Sequence, residues 1–463
     1  MNRILFFYPF HRSFALILLM PLLALSLVLA QTNMALFLVG ALLGASLNYF
    51  QFGFRTCSHQ LLTQGRTLGI RAVLWMLALS SVLFFVLLSI GSINGQPMTG
   101  FVQPLSLSVV AGAFMFGVGM QLANGCTSGT FNKLGQLQPL SLSSFIFLLI
   151  GGTLAAYHNE FWRSVPALAP VSVLEQFGLT SGLVIQLGFI ALLYWFAIIK
   201  EKNNFTEVSQ LSHSSFWKIS DWHPWLKAGL VLAGLNALLL LLSGQPWSIA
   251  NVFPYWGLKI SDGLHFPVDW QFWSYGISHA NRLESAVLQD TVSLTTLGLI
   301  FGALLVTLLA KNTQQEATQF TLKPHLFAVV GGFIMGYGSV IAFGCNIGAF
   351  FSGIGSGSLH GWLWAIAALA GNSAGIYLKS RLVSRYTAPV TFLSARWASR
   401  KIFGAQKWAR SILMALNNTG WQNKPLHNSI RFQKIFLALL WKKTLSCTKR
   451  SCKLFWLEKT VKF

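Results

Sequence analysis

Two cysteines stand in the same short pattern, Gly-Cys-x-x-Gly, and are the residues of this chain whose type and spacing best suit chemistry. Cys126 lies in the first copy and Cys345 in the second. A thiol is a weak hydrogen-bond donor and a weak, polarisable acceptor, so it contacts a sulfur-bearing solute without holding it firmly. Neutral polar side chains follow directly, namely Thr127, Ser128 and Asn346. The pattern predicts passage of a solute through several weak contacts.

The glycines of the two motifs, Gly125, Gly129, Gly344 and Gly348, indicate a special backbone. Each lowers helix propensity by about 1 kcal/mol. One explanation is close helix packing in a membrane, where small residues let backbones approach. The other is a helix that breaks at membrane depth, where it lines a cavity or is surrounded by protein. We favour the break, because each motif ends an apolar run. A helix that starts after the break would offer free N–H groups to an anion.

The cysteines also have a less specific interpretation. A lone cysteine in a membrane helix is usually a small apolar filler, and this stays open for Cys57, Cys126 and Cys345. The equivalent position in two copies argues against it for the last two. The remaining cysteines are Cys447 and Cys452. The sequence has no C-x-x-C pair and no His/Cys spacing typical of zinc, so we expect neither a disulfide framework nor a metal or other cofactor.

A longer internal repeat contains the two motifs. The segments that begin at Gly112 and Gly331 share nine of twenty residues at a constant offset of 219. The identical pairs are Gly112/Gly331, Phe114/Phe333, Gly117/Gly336, Gly119/Gly338, Ala123/Ala342, Gly125/Gly344, Cys126/Cys345, Gly129/Gly348 and Phe131/Phe350. Repeats of opposite topology are common among transporters. Counting the predicted spans gives the two copies opposite directions, which predicts an inverted, pseudo-twofold repeat.

The composition predicts an all-α polytopic membrane protein. Hydrophobic residues make up 54% of the 463 residues and charged residues only 10%, against about 25% charged in a soluble domain. This excludes an ordinary soluble enzyme. A span needs about 20 apolar residues, and we expect nine or ten spans together with short broken or re-entrant helices. The predicted spans are 14–30, 34–52, 72–90, 105–123, 140–158, 181–199, 226–243, 291–310, 325–343 and 360–378.

The basic residues predict the orientation. The net charge is +22, and 18 of the 33 Lys and Arg residues lie from Lys379 to the end. Placing the basic connections in the cytoplasm puts both chain ends inside, with the tail near anionic membrane lipid. No nucleic-acid-binding module accompanies the charge, so nucleic acid is not an expected partner. We divide the chain into a membrane half 1–243, a membrane half 244–390 and a basic cytoplasmic tail 391–463.

Several residues outside the motifs have structural interpretations. Arg55 is expected to anchor the protein at the membrane interface. Gln121 and Asn372 lie within apolar runs, which favours hydrogen bonds between helices. Trp247 belongs to a group of four tryptophans in the loop that precedes Asp290, and this group predicts an interfacial aromatic belt.

The two motifs resemble those of the YeeE/YedE family of bacterial sulfur transporters. The resemblance covers roughly residues 35–380 and is most specific at Asn124-Gly125-Cys126-Thr127-Ser128-Gly129 and Phe343-Gly344-Cys345-Asn346-Ile347-Gly348. It implies an hourglass-like helical fold with inverted halves, and uptake of thiosulfate across the bacterial inner membrane. It also implies that Cys126 and Cys345 line the narrow path and relay the ion by S–H···S contacts.

The resemblance has one departure and leaves alternatives open. Many members carry an aromatic-Cys-aromatic step near the start, where this chain has Phe52-Gly53-Phe54. Cys57 lies one helical turn beyond that glycine. Either Cys57 supplies the third thiol, or the third thiol is absent from this chain. The family implies a cytoplasmic TusA-like sulfurtransferase as partner. The sequence contains no ATP-binding P-loop. The alternatives are a permease for another small solute, such as a selenium compound, and a membrane thiol oxidoreductase.

Overall fold

The protein is described by a computed structural model over residues 31–93, 95–205, 208–211, 219–265, 273–309 and 322–386. By compactness the chain divides into Met1–Val383 and Ser384–Phe463. All elements below belong to the first unit, apart from the last residues of the final helix. The predicted span 14–30 and the predicted tail 391–463 lie outside the described residues.

Helices form nearly all of the described structure. The first nine are α1 (Gln31–Tyr49), α2 (Phe54–Gln64), α3 (Leu68–Ile90), α4 (Leu107–Leu122), α5 (Thr127–Gly135), α6 (Pro139–Tyr157), α7 (Asn159–Ser164), α8 (Val173–Asn204) and α9 (Pro224–Ser243). The others are α10 (Val252–Gly263), α11 (Ser274–Ser278), α12 (Ala280–Glu284), α13 (Thr291–Leu309), α14 (Leu322–Ile341), a π-helix (Asn346–Ser352), α15 (Gly353–Gly355) and α16 (Leu359–Tyr386).

Short strands and one 3-10 turn complete the secondary structure of the described residues. Strand β1 (Ser92–Ile93) pairs antiparallel with β2 (Gln96–Pro97). Strand β3 (Leu105–Ser106) pairs antiparallel with β4 (Ala167–Leu168). The 3-10 turn is Ile219–Asp221. These elements connect helices and form no extended sheet.

The prediction of an all-α polytopic membrane protein is confirmed. Eight helical segments of the described residues are long and apolar enough to cross a membrane. They coincide with eight of the predicted spans, and the predicted span 360–378 lies within α16. Large apolar side chains point outward along these segments, as with Val184 at 68% and Ile366 at 71% exposure. Such apolar surface is unsuited to water and suited to lipid.

Local sequence signals set the ends of the helices that lead to the site. Ser106 caps α4 by accepting a hydrogen bond from the Val109 N–H. Pro224 occupies the first turn of α9, where its missing N–H is not needed. Helix α9 ends at Gly244, which adopts a left-handed φ of 72° that suits glycine.

Helices α4 and α14, which carry the two copies of the repeat, cross in direct backbone contact. A Cβ added to Gly112 would lie 2.6 Å from Gly338 O, and one added to Gly338 would lie 2.5 Å from Gly112 O. The second pair is Gly119 and Gly331, with corresponding distances of 2.6 and 2.7 Å. Numbers rise along one helix as they fall along the other, so the helices are antiparallel. Gly112 thus contacts the repeat equivalent of Gly119, and Gly119 contacts the repeat equivalent of Gly112, which is the reciprocal pattern of a twofold relation.

We predict that Gly119→Ala destabilises the protein, because backbone atoms of α14 occupy the space of the new methyl group. The expected loss is about 1–3 kcal/mol of unfolding free energy, read as a lower melting temperature in detergent. The matched control is Gly234→Ala in α9, where no atom lies within 4 Å of an added Cβ. That control should be neutral or stabilising because alanine favours the helix. Equal melting temperatures for the two variants would contradict the close crossing.

Candidate functional site

Both repeat helices break at the same point and in the same way. Helix α4 ends at Leu122, and α14 ends at Ile341. Two residues later, Asn124 and Phe343 adopt left-handed φ values of 60° and 56°. The following Cys126 and Cys345 are extended, and each immediately precedes a new helical segment. A left-handed conformation is uncommon for a bulky residue such as Phe343, so the surrounding packing holds this backbone in place.

Cys126 serves as the N-cap of α5 and is 2% exposed. Its Sγ accepts a hydrogen bond from the Gly129 N–H at 3.3 Å and lies 3.4 Å from Ser128 Oγ. The Thr130 hydroxyl donates to the Cys126 carbonyl at 2.9 Å. An added Cβ at Gly129 would lie 3.3 Å from the sulfur, a tight contact that a shift of a few tenths of an ångström would have to relieve. An added Cβ at Gly125 would meet only ordinary contacts, the nearest at 3.5 Å.

Cys345 is fully buried and lies beside the start of the other motif. The N–H groups of Ile347 and Gly348 lie near its sulfur without forming a capping hydrogen bond to it, and the Thr127 hydroxyl lies close to it. That hydroxyl has no hydrogen-bond partner of ordinary geometry, and neither has Oδ1 of Asn346. Buried polar groups are normally satisfied, so both atoms retain hydrogen-bonding capacity that the described protein groups do not use.

The second motif is fixed by close packing. An added Cβ at Gly344 would lie 2.5 Å from Ala349 N, so only glycine fits. The Trp364 indole N–H donates to the Gly344 carbonyl at 3.1 Å. Trp364 also packs beside Phe116 of α4, with ring centroids 5.3 Å apart. Aromatic packing from α16 therefore holds the backbone before Cys345 against the first repeat helix.

The structure brings three buried free thiols together. Cys57 is 1% exposed and lies on α2, against α3, where an added Cβ at Gly69 would lie 2.8 Å from its sulfur. Cys126 is within electrostatic range of both Cys57 and Cys345. The sequence-predicted residues of the two motifs thus share one region of the core with the third cysteine.

An open cavity of about 230 Å³ reaches the second motif; we term it the vestibule. Its lining residues are Thr99, Gly100, Phe101, Gln103, Leu239, Ser243, Gln245, Pro246, Trp247, Ser248, Asn251, Thr291, Val292 and Thr295. Ser248 joins the vestibule to the motif, since an added Cβ at Gly348 would lie 3.1 Å from its Oγ. The side-chain polar atoms of Trp247 and Ser248 are buried without a partner. Both residues line the vestibule, and their two neutral donors are buried in its wall.

Trp247 corrects the expectation of an interfacial aromatic belt at that position. It is 2% exposed, because its main chain is held from two sides. Its N–H donates to Asn236 Oδ1 at 2.7 Å, and its carbonyl accepts from the Ser352 hydroxyl at 2.6 Å. Trp247 lies in a tryptophan-rich loop, and that composition alone predicts an interfacial anchor. The tertiary hydrogen bonds that bury Trp247 have no local sequence signal.

Basic side chains gather at the last turn of α4. Arg55 Nε donates to Gln121 Oε1 at 3.2 Å, and Lys379 Nζ donates to the Gln121 carbonyl at 2.9 Å. Gln121 in turn donates to Asn372 Oδ1 at 2.8 Å, the interhelical hydrogen bond that its position predicts. Arg55 and Lys379 are far apart along the chain, and no sequence pattern predicts that they meet. Among the described residues no group of His, Cys, Asp or Glu side chains could hold a metal ion.

An ion pair braces the rim of the vestibule. Arg282 donates to both carboxylate oxygens of Asp290 at 2.7 and 3.0 Å, and to the Asn251 carbonyl at 3.2 Å. Asp290 also accepts from the Ser293 N–H and so caps α13. Burial acts to raise the pKa of Asp290, but hydrogen bonding and the charge of Arg282 hold it below its ordinary value of 3.8.

Membrane-spanning helices that break beside a polar cavity are typical of transporters, and this is the class that the fold and site define. Residues 51–374 match the family described as "Sulphur transport", and the chain belongs to that family. The resemblance to YeeE/YedE transporters is confirmed, as is the expectation of a transporter and not an enzyme.

The relatives agree with the family. The thiosulfate transporter TsuA of Spirochaeta thermophila is 26% identical over 348 residues, which are 72% of this chain and 95% of that protein. The probable transporter YedE of Escherichia coli K12 is 31% identical over 164 residues, 35% of this chain and 39% of that protein. The probable transporter YedE of Salmonella typhimurium is 28% identical over 231 residues, 48% of this chain. The chain thus spans 39% and 54% of the two YedE proteins.

We predict that Asp290→Asn lowers the stability of the protein by about 3 kcal/mol, because it leaves Arg282 without its buried partner. The measurement is thermal unfolding in detergent at neutral pH. In the parent protein the ion pair stabilises the fold at pH values above the ordinary pKa of Asp290. This stabilisation is lost only as the pH falls through the lowered pKa that Asp290 has in the folded protein. The exposed Glu284 supplies the control variant Glu284→Gln. Equal melting temperatures for the two variants would show that the ion pair does not brace the rim.

Proposed function

We propose that the protein takes up thiosulfate, or a related inorganic sulfur compound, across the bacterial inner membrane through a constriction lined by Cys126, Cys345 and Cys57. The observation that carries this proposal is the Thr127 hydroxyl, which lies beside the Cys345 thiol without an ordinary hydrogen-bond partner. It belongs to the residue that follows Cys126. An entering anion would therefore meet a donor from the first motif and a thiol from the second at the same point.

The proposed route starts in the vestibule. There the Trp247 indole N–H and the Ser248 hydroxyl, both unpartnered, replace part of the hydration of the anion. Gly348 adjoins Ser248 and leads to Cys345 with its Ile347 and Gly348 N–H groups. Thr127, Asn346 and Ser128 then contribute neutral groups on the way to Cys126. Weak, neutral contacts in series let the ion enter and leave.

The remaining parts of the proposal follow the family resemblance. The inverted repeat is supported by the antiparallel, reciprocal glycine contacts of α4 and α14. The hourglass-like shape, the division at 1–243 and 244–390, the cytoplasmic tail 391–463 and its contact with lipid remain our predictions. A cytoplasmic TusA-like sulfurtransferase would keep uptake downhill by consuming the arriving sulfur.

The test of the thiol route is uptake of radiolabelled thiosulfate into cells that lack their own uptake system. Serine is a good N-cap residue, so in Cys126→Ser a hydroxyl oxygen replaces the sulfur that caps α5 and the helix start is kept. We expect Cys126→Ser and Cys345→Ser each to lower the rate of uptake at low thiosulfate concentration about tenfold. This corresponds to the loss of one contact between the thiol and the anion. The control is Cys447→Ser, outside the described residues. Unchanged uptake in both variants at equal expression would remove the cysteines from the mechanism.

The test of the vestibule uses conservative removal of its two donors. Trp247→Phe and Ser248→Ala each delete one unpartnered group, and each should raise the half-saturating thiosulfate concentration about fivefold, the worth of one net hydrogen bond. Trp195→Phe serves as control, because Trp195 is 56% exposed on α8. If the vestibule holds only water, the half-saturating thiosulfate concentration would be the same in all three variants, and the vestibule would not be part of the route.

A further inference from the structure

Three basic side chains converge on the segment that joins α4 to Cys126. Lys379 Nζ donates to the carbonyls of Gln121 at 2.9 Å and Leu122 at 3.3 Å. Lys133 Nζ donates to the Asn124 carbonyl at 2.6 Å. Arg55 reaches the same segment through the Gln121 side chain at 3.2 Å. We term Arg55, Lys133 and Lys379 the basic cluster.

The basic cluster carries more positive charge than the protein groups that contact it can neutralise. The carbonyl end of a helix carries about half a negative charge, which suits one cation and not three. All three side chains are partly buried, and each lies within electrostatic range of the other two. The ion pairs among the described residues are formed by Arg66, Arg71 and Arg282. Three like charges therefore repel one another, partly withdrawn from water, with no described carboxylate paired to them.

The basic cluster also adjoins the thiol of the first motif. Cys126 is within electrostatic range of Arg55 and of Lys133. Lys133 lies in the last turn of α5, the helix that Cys126 caps. An anion at Cys126 would therefore already lie within the electrostatic attraction of the basic cluster.

The vestibule and the basic cluster lie at opposite ends of α4. Vestibule residues such as Phe101 and Gln103 precede its first residue, Leu107. The basic cluster contacts its last residues and the turn that follows. Sixteen residues make a helix about 24 Å long. The two ends of the proposed route thus differ in character: neutral donors at one end and net positive charge at the other.

We propose that Arg55, Lys133 and Lys379 form a second anion-binding station, which holds a divalent sulfur oxyanion on the Cys126 side after it has passed the thiols. This rests on the proposed function. The neutral vestibule binds the ion weakly. The basic cluster lowers the electrostatic energy of the ion at the far side of the constriction. The bound anion in turn relieves the mutual repulsion of the three cations.

The experiment measures uptake of radiolabelled thiosulfate by the full chain in vesicles of neutral phosphatidylcholine, as a function of thiosulfate and of ionic strength. Lys133→Gln, Lys379→Gln and the double variant are compared with Lys133→Arg and Lys379→Arg, which keep the charge. The control Lys200→Gln removes an exposed charge at the end of α8. Arg55→Gln is the additional variant if a lysine variant does not fold, as judged by thermal unfolding.

We expect each lysine-to-glutamine change to raise the half-saturating concentration about tenfold, from the loss of one charge a few ångströms from the anion. The arginine variants and Lys200→Gln should behave like the parent protein. Added salt should weaken uptake by the parent more than by the double variant, because only the parent relies on screened attraction. A capping role for the lysines would change stability without changing this salt dependence.

Two outcomes would overturn the proposal. Glutamine variants that match Lys200→Gln in half-saturation and in salt dependence would show that the basic cluster does not bind the transported ion. An effect of the glutamine variants seen only when anionic lipid is added to the vesicles would assign the basic cluster to lipid headgroups. Absence of thiosulfate uptake by the parent protein would instead reject the proposed function, and this proposal with it.

Discussion

The direct backbone contact between α4 and α14 is the constraint from which the rest of the structure follows. Side chains at Gly112, Gly119, Gly331 and Gly338 would fill the interface, so both helices approach through their backbones. Each then has a second partner of the same kind. Gly117 faces the Ala368 carbonyl of α16, and Gly336 faces the Leu148 carbonyl of α6, in each case with an added Cβ at 2.3 Å. Four helices thus pack through small residues, and the two breaks project from this core.

In the proposed route the breaks carry the chemistry, because they free backbone groups that a continuous helix would consume. The Gly129 N–H donates to the Cys126 sulfur, the Gly348 N–H lies near the Cys345 sulfur, and the hydroxyl of Thr127 is left beside Cys345. In a low-dielectric environment such groups interact strongly with an anion. Because they are neutral, no charged side chain has to be buried to bind it. Under the proposed function, selectivity would depend on the fixed spacing of these weak donors, which the glycine contacts hold in place.

Sequence reasoning predicts what depends on local composition and pattern. The apolar runs gave the spans, and Gly-Cys-x-x-Gly gave the position of each break. It did not predict the left-handed backbone at Asn124 and Phe343, because glycine at the next position is the residue that usually adopts it. The unusual conformation falls on neighbouring residues since tertiary packing outweighs the local preference.

Long-range assembly also explains what was missed in the site. Trp247 looks like an interfacial anchor until Asn236 and Ser352 are known to hold its main chain in the core. Lys133 and Lys379 are separated by 246 positions and meet only because α5 and α16 both pass beside the turn that follows α4. Neither placement follows from composition or periodicity, which report on single elements and not on which elements meet.

The cap that Cys126 forms has a consequence for the polarity of its sulfur. One face of the atom is occupied by the Gly129 N–H, which fills an electron-rich direction of the thiol. The S–H hydrogen points away from that amide, and Ser128 Oγ at 3.4 Å is the neighbour that can accept it or donate in its place. The helix cap thus leaves the thiol better suited to donate a hydrogen bond than to accept a second one.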